Sequence, residues 1–132
     1  MPRNIDDVET FLLRLNRNFE RTETTFVVSG RGDHPPVAVH VAEPIVVVRA
    51  DIGKVPDDET KQLKLFRALL EYNASDLVHA AYAVEGHEMV LSAGLELENL
   101  DLNELAAVLS DIDLALARHV KSLHQIATGE EA

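Results

Sequence analysis

The sequence predicts an α+β domain, an antiparallel sheet packed with helices in the order α-β-β-β-α-β-β-α. Three observations predict it. Residues 24–52 alternate apolar and polar positions with a period of two, residues 5–15 and 101–123 carry apolar stripes at helical spacing, and clusters of Gly, Pro and Asn divide these runs. Strands joined in hairpins beside separate helices give an α+β domain with an antiparallel sheet. The chain has 132 residues, the length of one ordinary domain. Residues 1–132 are therefore read as one domain, with a frayed tail from Thr128.

The first helix places Ile5, Val8, Phe11, Leu12 and Leu15 on one face, with Asn4 as cap and Asp6 and Asp7 in its first turn. Leu13 lies off that stripe, and Asn16 and Asn18 end the helix. Phe26 and Val28 alternate with Thr25 and Val27 in the first strand. The breaker run Gly30-Arg31-Gly32-Asp33-His34-Pro35-Pro36 joins it to Val37–Ala42, and Glu43-Pro44 leads into Ile45–Ile52. Asp57 and Asp58 open a second helix running to about Tyr72, with Asn73 as its stop. This helix has two apolar faces, Leu63, Phe66 and Leu70 on one, Leu65, Leu69 and Tyr72 on the other. A helix apolar on two sides is sandwiched. The second surface is either helix three and the sheet or another subunit. Leu77–Glu85 and Glu88–Leu97 form a hairpin about Gly86. Asp101 then opens the last helix, with Glu104 at capping-box spacing and Leu105, Leu109, Ile112, Leu116, Val120 and Leu123 in one stripe. Leu114 points the other way.

The formal net charge is −11, and it is uneven: residues 1–56 carry −1 and residues 57–132 carry −10. Such a field disfavours nucleic acid and anionic lipid; a basic partner segment, or simply solubility, accounts for it. With no cysteine, thiol catalysis and cysteine metal sites are excluded. No apolar run reaches membrane-spanning length and the N-terminus does not read as a signal peptide, so a cytoplasmic location is expected.

Motifs that would carry chemistry have simpler explanations. The six histidines, at 34, 40, 79, 87, 119 and 124, form no i, i+4 helical pair, so no metal is expected. Arg31-Gly32-Asp33 spells an adhesion tripeptide, but a glycine turn accounts for it. Ser29, Asp33 and His34 lack a nucleophile elbow, and the paired carboxylates Asp6/Asp7 and Asp57/Asp58 sit at helix starts. Gly30-Arg31-Gly32 lacks the third glycine of a dinucleotide fingerprint. No catalytic residue and no cofactor is expected.

Several local patterns resemble the type III secretion chaperone family (Tir chaperone fold) and the related YbjN-type family. Leu69-Leu70-Glu71-Tyr72-Asn73 is similar to the family's ending of the second helix. Gly86, Met89-Val90-Leu91 and Leu95-Glu96-Leu97 are similar to its last hairpin, Leu100-Asp101-Leu102 to the entry of its final helix, and Phe11-Leu12-Leu13-Arg14-Leu15-Asn16 to its first helix. The resemblance implies a non-catalytic homodimer that holds an extended segment of a partner protein. It implies Leu65, Leu69 and Tyr72 at the contact between copies, and Leu13, Phe26, Val28 and Val47 at the partner surface. The YbjN side of the resemblance implies an alternative, a regulatory domain docking to a folded partner. A small-ligand binder or enzyme is the third reading.

Overall fold

The computed structural model describes residues 3–30 and 32–129. Helix α1 (Ile5–Arg14) leads into strands β1 (Phe19–Thr22), β2 (Thr25–Val28), β3 (Val37–Ala42) and β4 (Ile45–Lys54). Helix α2 (Glu59–Ser75), the hairpin β5 (Ala81–Glu85) and β6 (Glu88–Glu96), and helix α3 (Leu102–Thr128) follow. The six strands make one antiparallel sheet in the order β1-β2-β3-β4-β6-β5.

The α+β class holds, with one strand more than the sequence predicts. β1 escapes prediction because Phe19-Glu20-Arg21-Thr22 has a single apolar residue and joins β2 through a turn at Glu23, whose φ of 55° is unsignalled by glycine. Helix α2 also runs past its expected stop, so that Asn73 lies inside it and Asp76 is its C-cap. Residues 77–80, expected as part of the hairpin, are not strand.

One face of the sheet is apolar and covered. The register aligns Phe26, Val39, Val48 and Ala93 across four strands, and Ala50, Leu91 and Tyr82 across three. All are buried, against Val8, Phe11 and Leu12 of α1, Leu65 and Leu69 of α2, and the stripe Leu105, Leu109, Ile112, Leu116 and Leu123 of α3. The helix starts are as expected: Asn4 and Asp7 form one capping box, Asp101 and Glu104 another. The opposite face, carrying Thr25, Val27, Ala38, His40 and Val47, has no helix over it among the described residues.

Candidate protein-binding site

The two edge strands define the site. At β1, the Ser29 N–H donates to the Asn18 carbonyl at 2.9 Å, which fixes the alternation of the ladder. Asn18, Glu20 and Thr22 then turn their backbone groups towards β2, and Phe19 and Arg21 turn theirs outward. No strand pairs with that outer side among the described residues. The side chains of Phe19 and Arg21 fold inward instead. The Phe19 ring meets Phe26 edge-on, with centroids 5.6 Å apart. The Arg21 guanidinium lies 5.5 Å from the Phe26 centroid and donates to Asp6 at 3.1 Å and Glu9 at 2.8 Å, tying the strand to α1. Those two carboxylates hold the Arg21 pKa above its ordinary value.

Apolar surface lies on α1 and the bare sheet face. Leu13 is 59% exposed, Val27 41% and Ile45 43%, and Val47 is half-buried. Leu13 is therefore accessible and Val47 partly so. Phe26 and Val28 are not: both are fully buried beneath the helices, and the outward positions of their strand are Thr25 and Val27. The period of two identifies the strand but leaves open which face is the core.

The same correction applies to α2. Leu65 and Leu69 are 0% and 4% exposed within a single chain, packed into its core. They have no surface left to give to a second copy. Tyr72 is half-buried, its ring stacked on His119 at 3.8 Å. The outward stripe is the other one. Leu63 and Leu70 are 72% and 68% exposed, and with Phe66 and Ala74 they line a groove of about 640 Å³ flanked by Lys64, Arg67 and Glu71.

The β5 edge is capped from Val78 to Tyr82 by side chains that the sequence alone does not assign. The Asn73 Oδ1 accepts from the Tyr82 N–H at 2.7 Å, and its Nδ2 donates to the Tyr82 carbonyl at 3.1 Å. One carboxylate, Asp111, accepts the N–H groups of His79 at 2.8 Å and Ala80 at 2.9 Å, with Val78 at 3.3 Å. Behind the strand, buried His119 bonds the Tyr82 hydroxyl through Nδ1 at 2.7 Å and Asp76 through Nε2 at 2.8 Å. A neutral imidazole with its proton on Nε2 satisfies all three groups, the tyrosine donating and the carboxylate accepting. The bond from His119, aided by one from Ser75, holds the Asp76 pKa below its ordinary value. Burial raises that of Tyr82.

Other histidines are likewise occupied: His40 Nδ1 lies 2.7 Å from the Thr25 hydroxyl, and His124 Nε2 donates to the Ile52 carbonyl at 2.8 Å. Among the described residues no group of His, Asp or Glu could hold a metal ion. No hydrogen bond joins Ser29, Asp33 and His34 into a triad among those residues. The adhesion tripeptide includes Arg31, and the expected frayed tail includes Glu130, Glu131 and Ala132; these four lie outside the described residues. No helix among the described residues is long and apolar enough to cross a membrane.

Solved structures share this fold. A chain from the heterodimeric ExoU-SpcU complex of the Pseudomonas aeruginosa type III secretion system matches at 19% identity over 86% of this chain and 95% of its own, with a TM-score of 0.69. YbjN of E. coli, described as a putative transcription regulator, matches at 15% identity over 96% and 93%, with a TM-score of 0.65. The Yersinia pestis structure of the chaperone SycH with a fragment of YscM2 matches at 17% identity over 85% and 98%, with a TM-score of 0.57. At these identities the likeness is one of fold. No curated protein matches the chain in sequence. The family model CesT_Tir_1 matches residues 1–129, and the chain belongs to that family, the type III secretion chaperones.

Proposed function

We propose that this chain is a non-catalytic chaperone that works as a homodimer and holds an extended, basic segment of a partner protein along the outer edge of β1. The observation that carries the proposal is the outer side of β1, unpaired among the described residues, where Phe19 and Arg21 present backbone donors and acceptors beside a sheet face that no described helix covers. An extended segment adds to such an edge by main-chain hydrogen bonds, and neighbouring apolar positions select its side chains. Leu13, Val27 and Val47 supply those positions. The acidic surplus, −10 over residues 57–132, attracts a basic segment to the chain as a whole and not at β1 itself. Family membership supports the reading, and so do the complexes named for two of the structural neighbours.

The dimer contact is proposed on the outer stripe of α2, in place of Leu65, Leu69 and Tyr72. Leu63, Phe66 and Leu70 form a patch that a second copy would cover. In an antiparallel pairing about a two-fold near Arg67, Lys64 of each copy comes opposite Glu71 of the other, and the two Arg67 side chains, each paired with Glu71 of its own chain, flank the axis.

Light scattering on the purified chain, followed by amide exchange on the complex isolated from its host, tests both parts. A dimer that Leu70→Asp converts to a folded monomer supports the α2 contact; a wild-type monomer removes it. Protection of the Phe19 and Arg21 amides by a bound extended segment supports the β1 site. A folded partner that leaves those amides exchanging freely would instead mark a regulatory docking domain.

A further inference from the structure

The Asn73 amide does to Tyr82 what a neighbouring strand would do. In an antiparallel ladder, facing residues exchange two hydrogen bonds, one to the N–H and one from the carbonyl. Asn73 makes both, at 2.7 and 3.1 Å, on the side of β5 away from β6. Ala80, the preceding outward residue in the period of two, has its N–H taken by Asp111. At this edge an amide and a carboxylate thus take the outward groups of Tyr82 and the N–H of Ala80, while outward Val84 has no side-chain partner among the described residues. At the opposite edge no side chain takes the backbone groups of Phe19 or Arg21 among the described residues.

An unfinished edge pairs readily with another chain, and natural sheets block the edges they do not use. We infer that Asn73 is an edge guard: it determines which side of the sheet takes a partner strand, and it keeps β5 from pairing with β5 of a second copy. The backbone geometry supplies the occupant. If two β5 strands meet antiparallel about Ala83, Tyr82 of each copy faces Val84 of the other and recovers both bonds that Asn73 now makes. Ala81 and Ala83 are small and exposed on the outer face, and Asn73 and Tyr72 of α2 are the groups that stand beside this edge. The identity of the edge left open rests on the proposed function, but the guard itself is a property of the chain alone.

The absence of native cysteine makes the test direct. Ala83→Cys places a single thiol where two copies paired in this register would bring their Cα atoms to about 4.5 Å, within disulfide range. With Asn73 present, mild oxidation is expected to give no cross-linked dimer. With Asn73→Ala added, Tyr82 amide exchange is expected to accelerate roughly tenfold, and a dimer linked through the introduced thiols is expected to form. Asn73→Ser removes the same pair of bonds with a polar residue, and carries the test should the alanine variant not fold. The inference is overturned if the thiol cross-links equally well with Asn73 in place. It is also overturned if removing Asn73 leaves the Tyr82 amide protected, or exposes it without any cross-link. None of these readings depends on a partner protein. An intact guard with no protection at β1 on partner binding would refute the proposed binding mode and leave the guard standing.

Discussion

The two edges of the sheet are finished in opposite ways. At β5, Tyr82 has its N–H, its carbonyl and its hydroxyl all bonded to side chains, from Asn73 of α2 and His119 of α3. Asp111 of α3 satisfies the backbone just before the strand. At β1, the side chains of Phe19 and Arg21 anchor the strand while their outward backbone groups have no partner among the described residues. The difference teaches how one fold can carry a fixed edge and a receptive one. The fixed edge is locked through polar groups with short bonds and one buried imidazole, so opening it leaves several groups unsatisfied. The receptive edge is held by ring contacts and surface charge, and adding a strand to it breaks nothing.

The largest effect expected from that difference is at His119. Replacing it with alanine leaves the Tyr82 hydroxyl without its partner in a buried site and removes the ring on which Tyr72 stacks. The cavity and the lost bonds together are expected to cost about 3 kcal/mol, read as a lower urea midpoint at unchanged slope. A cost under about 1 kcal/mol would mean that β5 is braced no better than β1, and the comparison would fail. Tyr82 itself gives the next effect, through pH. Burial disfavours its phenolate, so its folded pKa lies above the ordinary value. Below about pH 10 both states keep the proton and the contribution is full. As the pH rises further, the unfolded chain ionises first and stability falls, by about 1 kcal/mol between pH 10 and 11. Tyr82→Phe lacks this term, so the stability difference between wild type and variant is expected to narrow by that amount. A constant difference across the same range would show Tyr82 ionising freely and the edge less closed than its bonds indicate.

Most of the scaffold was legible because burial leaves a period in the sequence. The stripe from Leu105 to Leu123 and the alternation from Val37 to Ile52 are the physical imprint of one covered face, and both became the elements expected. Which face is covered leaves a weaker imprint. Leu65 and Leu63 are equally apolar, as are Phe26 and Val27, and only the packing of α2 and the sheet register separate core from surface. The bracing of β5 left almost none. Asn73 reads as a helix stop, Asp111 as a solvated carboxylate and His119 as an isolated imidazole, because their partners lie 9, 31 and 37 residues away in the chain. Long-range side-chain bonds have no period.

Arg21 gives the smallest expected effect and tests the other side of the comparison. Its guanidinium bridges Asp6, whose side chain is 80% exposed, and Glu9, and lies over Phe26. Phe26 is fully buried with its own packing from β3 and the helices, so the core beneath does not depend on the charge. Pairs this exposed are screened by salt and contribute little. Arg21→Met keeps an unbranched apolar stem over the ring and deletes the two ionic bonds. Its denaturation midpoint is expected to fall slightly at low salt and to coincide with that of wild type in about 0.5 M salt. Coincidence at high salt would place β1 among surface-tethered strands, free to accept a partner without strain on the core. A loss that persists there would mean that Arg21 braces β1 as His119 braces β5, and the two edges would no longer differ in kind.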